Sequence, residues 1–257
     1  MTSNDVQLDL RDDIAIVRLA RPAKRNALSD GLIMALRRLF ETMPATVRAI
    51  VLTGEGDHFC AGLDLSELKD RDAGAGMHHS RMWHAALEAV QYGPAPVIAA
   101  LQGAVVGGGL ELASACHIRV AEDSAYFGLP EGQRGIFVGG GGSARIPRLI
   151  GVARMTDLML TGRVFDADEG QQMGLVNYRT PDGAGLERGI ALAQRIAANA
   201  PMSNFAVMHA LPRIADQSQS EGLFTESLMA AVAESTPDAQ DRLRAFLEGR
   251  AAKVVKV

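Results

Sequence analysis

The sequence is short of several features that would mark a role at once. It holds two cysteines, Cys60 and Cys116, and no CxxC pair, which argues against a disulfide framework. A reducing compartment is expected, with both thiols buried as small hydrophobes. No apolar run approaches the ~18 residues of a membrane span. The opening MTSNDVQLDLRDD is acidic and has neither an apolar h-region nor an Arg-rich amphipathic pattern. No targeting segment and no membrane partner are therefore expected, and the location read from the sequence is cytoplasmic. Basic residues are not in excess either: 26 Lys and Arg stand against 30 Asp and Glu, a net charge of −4. That balance gives no electrostatic reason for nucleic-acid binding, although a local basic patch stays open. The phosphate loop G-x-x-x-x-G-K-S/T is missing. Ser143 follows a glycine run, but GGGGSAR is not the G-x-S-x-G elbow of a serine hydrolase. There is no close repeat and no low-complexity tract.

What is present reads as an ordinary globular protein. The chain has 257 residues, 47% of them apolar and 22% charged, enough for one large domain or two small ones. The first clear strand is IAIVRLA, residues 14–20, closed by Arg21 and Pro22. Ser29 is placed to cap a helix whose apolar positions Leu32, Ile33, Leu36, Leu39 and Phe40 recur at helical spacing, with Pro44 at its end. VRAIVLTG, residues 47–54, predicts a second strand. The polar, glycine-containing stretch 66–80 predicts a mobile loop, followed by a helix around residues 81–92. PVIAALQGAVV (96–106) predicts a third strand and IRVAEDSAYFG (118–128) another. From about residue 186 the pattern is helical, with Pro201, Pro212 and Pro237 as breaks.

Two turns of small residues carry the chemical interest. Gly107, Gly108 and Gly109 separate an apolar strand from a helix expected to begin near Leu110. Glycine allows a sharp turn and a close approach of ligand to backbone. The first amides of a helix lack partners and favour negative charge. The turn Cys60-Ala61-Gly62-Leu63 is similar in character, so a fold that joins the two turns would aim the amides of Leu63 and Gly108 at one oxygen. Tight packing is an equally simple use for any one of these glycines.

The motifs RPAKRNALS (21–29), HFCAGLDL (58–65), AALQGAVVGGGLELASAC (99–116), YFGLPEGQRGIFVGGGGSARIPRLIG (126–151) and MLTGRVFDADEGQQMGLVN (159–177) follow one another in this order over nearly the whole chain. In that order and spacing the chain resembles the crotonase, or enoyl-CoA hydratase, superfamily. The resemblance implies an α/β spiral of repeated ββα units over residues 1–185. A helical region, 186–257, would pack on this core and serve in oligomer contacts, within a homotrimer or a homohexamer. It implies an oxyanion hole formed by the amides of Leu63 and Gly108, and contacts to coenzyme A from Lys24 and from the backbone near Ala61 and Leu65. It also implies that Glu111 and Glu131 match the two glutamates of the family's hydratases.

Hydration of a 2-enoyl thioester needs an activated water at C3 and a proton at C2, tasks that two positioned carboxyls can share. The expected activity is the reversible syn hydration of a 2-enoyl-CoA to a 3-hydroxyacyl-CoA. No metal or other cofactor is expected, coenzyme A being part of the substrate. An enoyl-CoA isomerase, a hydratase-lyase, and a homologue that binds RNA or a protein partner without catalysis are the rival readings. Two positions depart from the commonest family pattern. His117 stands where an aspartate is frequent, and Phe137-Val138 stand where a proline is usual; both departures are expected close to the site, His117 in a structural role. His78, His79 and His84 suggest a metal, but no Cys or carboxylate accompanies them at ligand spacing. Met77, Met82 and Trp83 suit either an acyl pocket or ordinary core.

Overall fold

A computed structural model of the chain describes residues 5–67 and 71–250. They divide into two compact units, Met1–Ala197 and Ala198–Val257. In the first unit the chain forms β1 (Val6–Arg11), β2 (Ile14–Leu19), α1 (Asp30–Glu41), β3 (Ala49–Gly54), α2 (Ala73–Gln91), β4 (Val97–Leu101), β5 (Ala104–Val106) and α3 (Gly108–Ala115). It continues through β6 (Ile118–Glu122), β7 (Tyr126–Gly128), α4 (Gly142–Ile150), α5 (Val152–Thr161), β8 (Val164–Asp166), α6 (Ala167–Met173), β9 (Tyr178–Thr180) and α7 (Gly185–Ala197).

The strands sort into two sheets, one six-stranded in the order β1-β2-β3-β4-β6-β9 and one three-stranded in the order β5-β7-β8. β1 is antiparallel to β2, and the large sheet is otherwise parallel. From β4 onward the strand pairs divide between the sheets, β4 and β6 joining the large one and β5 and β7 the small one, in the expected spiral of ββα units. The stretch predicted as one strand over 96–106 is in fact two, β4 and β5, in different sheets. Gly103 makes the corner: its φ is +52°, and a Cβ there would lie 2.1 Å from the Asp57 carbonyl oxygen. Residues 118–128 divide in the same way between β6 and β7.

Alternation along the central strands buries both faces of the large sheet. Leu52, Val97 and Ala99 point into the main core with Leu32, Leu36 and Phe40 of α1. Val51, Ile98 and Ala100 point the other way, onto Leu192, Ala193 and Ala197 of α7. Each buried Leu or Ile contributes about 1.5–3 kcal/mol relative to an exposed one, so α7 is held to the sheet. The division expected after residue 185 therefore moves to Ala197.

Local signals account for most boundaries. Ser29 caps α1 by accepting from the Leu32 amide at 3.2 Å. β1 carries no readable apolar signal, because its Leu8 and Leu10 are exposed on a sheet edge. The predicted loop is corrected as well: from Ala73 it is α2, capped by Asp72, whose Oδ1 accepts from the Ala75 amide at 2.7 Å. Its buried residues begin only at Trp83, so the first turns show no apolar period to read. Residues 68–70 of that stretch lie outside the described residues.

The second unit contains α8 (Pro201–Phe205), one π-helical turn (Ala206–Ala210), α9 (Leu211–Ala215), α10 (Gln219–Glu234) and α11 (Pro237–Leu247). Pro201, Pro212 and Pro237 each fall in the first turn of a helix, where a missing N–H costs nothing. Along α10, Phe224, Leu228 and Val232 form an exposed apolar stripe at four-residue spacing. Among the described residues no helix is long and apolar enough to cross a membrane.

Candidate active site

The two small-residue turns meet. Cys60 donates its amide to the Ala104 carbonyl at 2.9 Å and accepts from the Val106 amide at 3.1 Å, which hangs the first turn on β5. The Leu28 amide donates to Gly62 at 2.7 Å, and the Asp64 amide donates to Leu28 at 2.8 Å. These bonds occupy the groups on either side of Leu63, and the Leu63 amide has no acceptor among the described residues. Gly108 opens α3, where an amide has no partner within the helix, and it too lacks an acceptor there. A Cβ at Gly108 would lie 3.5 Å from the Leu63 nitrogen, and one at Gly62 would lie 3.5 Å from the Gly108 nitrogen. Both amides therefore border one space.

The glycine run serves packing and opening at once. At Gly109 a Cβ would come within 2.3 Å of the Cys60 carbonyl oxygen, so that position is needed for close packing. Gly107, with φ +55°, makes the turn, and the Glu131 carboxyl fills the place a side chain would take. The helix starts at Gly108, earlier than the Leu110 expected.

Leu63, Gly108, Glu111 and Glu131 line a single cavity of about 450 Å³. Glu111 lies in the first turn of α3 and is 4% exposed. Its Oε1 accepts from the Gly140 and Gly142 amides, each at 2.8 Å. Burial raises its pKa, and those amides and the Arg145 charge offset only part of that rise. Arg145 braces the same loop, donating through Nε to Gln91 Oε1 at 2.6 Å and through Nη1 to the Gly140 carbonyl at 3.0 Å. Glu131 sits in a short 3₁₀ turn, Pro130–Arg134, and is 6% exposed. Burial and, secondarily, the nearby Glu111 charge push its pKa up to about 7, against its own backbone amide and Arg134. Its Oε2 is buried without a hydrogen-bond partner.

The other expected site residues divide. Ala61 and Leu65 line the cavity. Lys24 does not: its Nζ is 2.8 Å from Asp64 Oδ2, which Arg21 also contacts at 2.9 Å. Lys24, Ser66 and Arg21 hold the Asp64 carboxyl well below the usual carboxylate range. Phe137, Val138 and Trp83 line the cavity, whereas Met77 and Met82 do not. His117 lies away from it, accepting from the Val97 amide at Nδ1 (3.0 Å) and contacting the Gln91 carbonyl at Nε2 (3.0 Å). Cys60 and Cys116 are buried free thiols with pKa values pushed up to about 12 by burial. Among the described residues no group of three or more His, Cys, Asp or Glu is arranged to hold a metal. The reading from sequence overlooked Asp64, Arg145 and the Gly140 and Gly142 amides. Only the AG-x-D aspartate and the second glycine run hinted at them.

The enoyl-CoA hydratase/isomerase family model matches residues 9–255. A short-chain-enoyl-CoA hydratase of Clostridium acetobutylicum is 32% identical, over 97% of this chain and 97% of its own. A solved structure from Rhodopseudomonas palustris CGA009 superposes with a TM-score of 0.93 at 55% identity, covering 97% of each chain. An enoyl-CoA hydratase structure from Bacillus anthracis gives a TM-score of 0.90 at 34% identity, over 96% and 97% of the two chains. The chain belongs to the enoyl-CoA hydratase/isomerase family of enzymes, and its α/β spiral is of the crotonase type.

Proposed function

We propose that the protein catalyses the reversible syn addition of water to a 2-enoyl-CoA, giving a 3-hydroxyacyl-CoA. The observation that carries this reading is the pair of buried carboxyls on one cavity, beside two amides without acceptors. The thioester carbonyl takes its place between the Leu63 and Gly108 amides, which stabilise the negative charge that grows on oxygen as water adds. Glu111, oriented by two amides, accepts a proton from water as its oxygen attacks C3. Glu131, titrating near neutrality with a bare oxygen, delivers the proton to C2. In dehydration the two exchange roles. The sequence is redox-neutral, and these four groups cover its proton transfers and charge, so no metal or redox cofactor is assigned.

Ala61 and Leu65 flank the route for the coenzyme A portion. Lys24 would have to leave Asp64 to meet a phosphate, and we assign it a lesser part than the resemblance implies. The exposed stripe on α10 supports self-association, assigned here as a homotrimer or a dimer of trimers, and light scattering after gel filtration reads this directly.

The decisive experiment incubates the protein with short 2-enoyl- and 3-enoyl-CoA and follows product mass. Hydration adds one water, whereas isomerisation leaves mass unchanged. Glu111→Gln and Glu131→Gln are each expected to lower kcat by about 10²–10⁴-fold with KM nearly constant. A folded variant with near-native turnover would refute the role given to that residue. Unaltered mass with a moved double bond would select the isomerase.

A further inference from the structure

One wall of the cavity carries polar groups that water addition does not use. They are organised by one side chain, Asp30, the first residue of α1. Asp30 Oδ1 accepts from Trp83 Nε1 at 3.2 Å and pairs with His79 Nε2 at 2.6 Å, and Arg71 Nη2 lies 3.7 Å from Oδ2. Trp83, His79 and Arg71 all line the cavity, whereas Asp30 does not. Burial works against ionisation of Asp30, yet the bonds from His79 and Trp83 and the charges of His79 and Arg71 prevail and lower its pKa. Asp30 thus acts as a clamp behind the wall.

Distance along α2 gives this wall a scale. A Cβ at Gly108 would lie 3.3 Å from Trp83 Cζ3, which puts the indole beside the amide at the reacting end. His79 is one helical turn further out on the same face, about 6 Å at 1.5 Å per residue. Arg71 comes before the helix cap Asp72 and lies beyond His79 in the same direction of chain. Back along the chain from Trp83 through His79 to Arg71, the side chains that line this wall become more polar. An alkyl tail laid along it would strip water from imidazole and guanidinium and return no hydrogen bond.

Building on the hydratase reading, we propose that the acyl chain of the substrate carries an oxygen function, a hydroxyl, carbonyl or carboxylate, about one helical turn beyond the reacting carbons. His79 and Arg71 bind it, and Asp30 positions them.

The test compares kcat/KM for 2-enoyl-CoAs of matched length that end in methyl, hydroxyl or carboxylate. At least one oxygenated chain should exceed the methyl chain by about 10- to 100-fold. His79→Phe and Arg71→Met should each shrink that ratio toward one, and Asp30→Asn should do the same while the circular-dichroism spectrum stays native. Repeating the series with N-acetylcysteamine thioesters, which lack the nucleotide, separates two sources of oxygen. A preference that persists there lies in the acyl chain, and one that vanishes belongs to coenzyme A and overturns the proposal. Equal or better use of the methyl chain, or ratios indifferent to the substitutions, would also overturn it. Dissociation constants of the corresponding saturated acyl-CoAs give the same ratio without turnover. An inactive protein that still prefers oxygenated chains would therefore sink the hydratase reading and leave this one standing.

Discussion

Glu111 and Glu131 are buried almost equally, at 4% and 6% exposure, yet they occupy opposite surroundings. The turn that receives Glu111 aims two amides at one carboxylate oxygen and sets a cation behind them. The turn that carries Glu131 leaves Oε2 with no donor. Burial raises the pKa of both groups; at Glu111 the two amides and Arg145 oppose that rise, whereas at Glu131 the Glu111 charge adds to it. Equal depth therefore leaves room for very unequal hydrogen bonding.

That contrast can be broken from either side. The largest effect is expected for the double variant Glu111→Gln/Glu131→Gln, assayed by single-turnover hydration. If the two acids work as a unit, the double loss should be close to that of the worse single variant, about 10²–10⁴-fold, rather than the product of both. The next effect is in pH. Hydration needs Glu131 protonated, so the basic limb of its kcat/KM profile should fall about tenfold per unit well above pH 7, with dehydration showing the opposite limb. Glu131→Gln should abolish both limbs in a stopped-flow pH series.

A smaller change should follow Arg145→Met. Loss of the cation raises the Glu111 pKa further, so the acid limb of the hydration profile moves to higher pH, while KM stays put because Arg145 does not line the cavity. Arg145→Lys should recover part of this shift. The smallest effect is on stability. Glu131 binds its proton more tightly when folded, near 7, than at its ordinary 4.5. Its contribution is complete below pH 4.5 and is lost as pH rises through 7. Glu131→Gln should therefore melt relatively higher than the parent above pH 7, and a Tm series across this range measures the difference.

The residues that carry these arguments were unequally legible. Leu63, Gly108, Glu111, Glu131, Ala61 and Leu65 lie in motifs whose order is distinctive, and all of them reach the cavity. Lys24 lies in an equally plain motif, but its partner is 40 residues away, and no local pattern announces an ion pair at that range. The same holds for His117, placed near the site by its neighbours in sequence and turned away from it by bonds to Gln91 and Val97. The corner at Gly103 was hidden because both strands it joins are apolar, so hydrophobicity runs on where direction does not. The early turns of α2 were hidden for the reverse reason, since they face solvent and the cavity rather than the core.

Asp64 ties the turn bearing Leu63 to Arg21 and Lys24 through one oxygen. Its carboxyl keeps its charge far into acid, where ordinary exposed carboxylates, with pKa values of about 4, have already lost theirs. In an acidifying medium this knot loosens late, so the scaffold around the Leu63 turn should outlast the protein's looser edges.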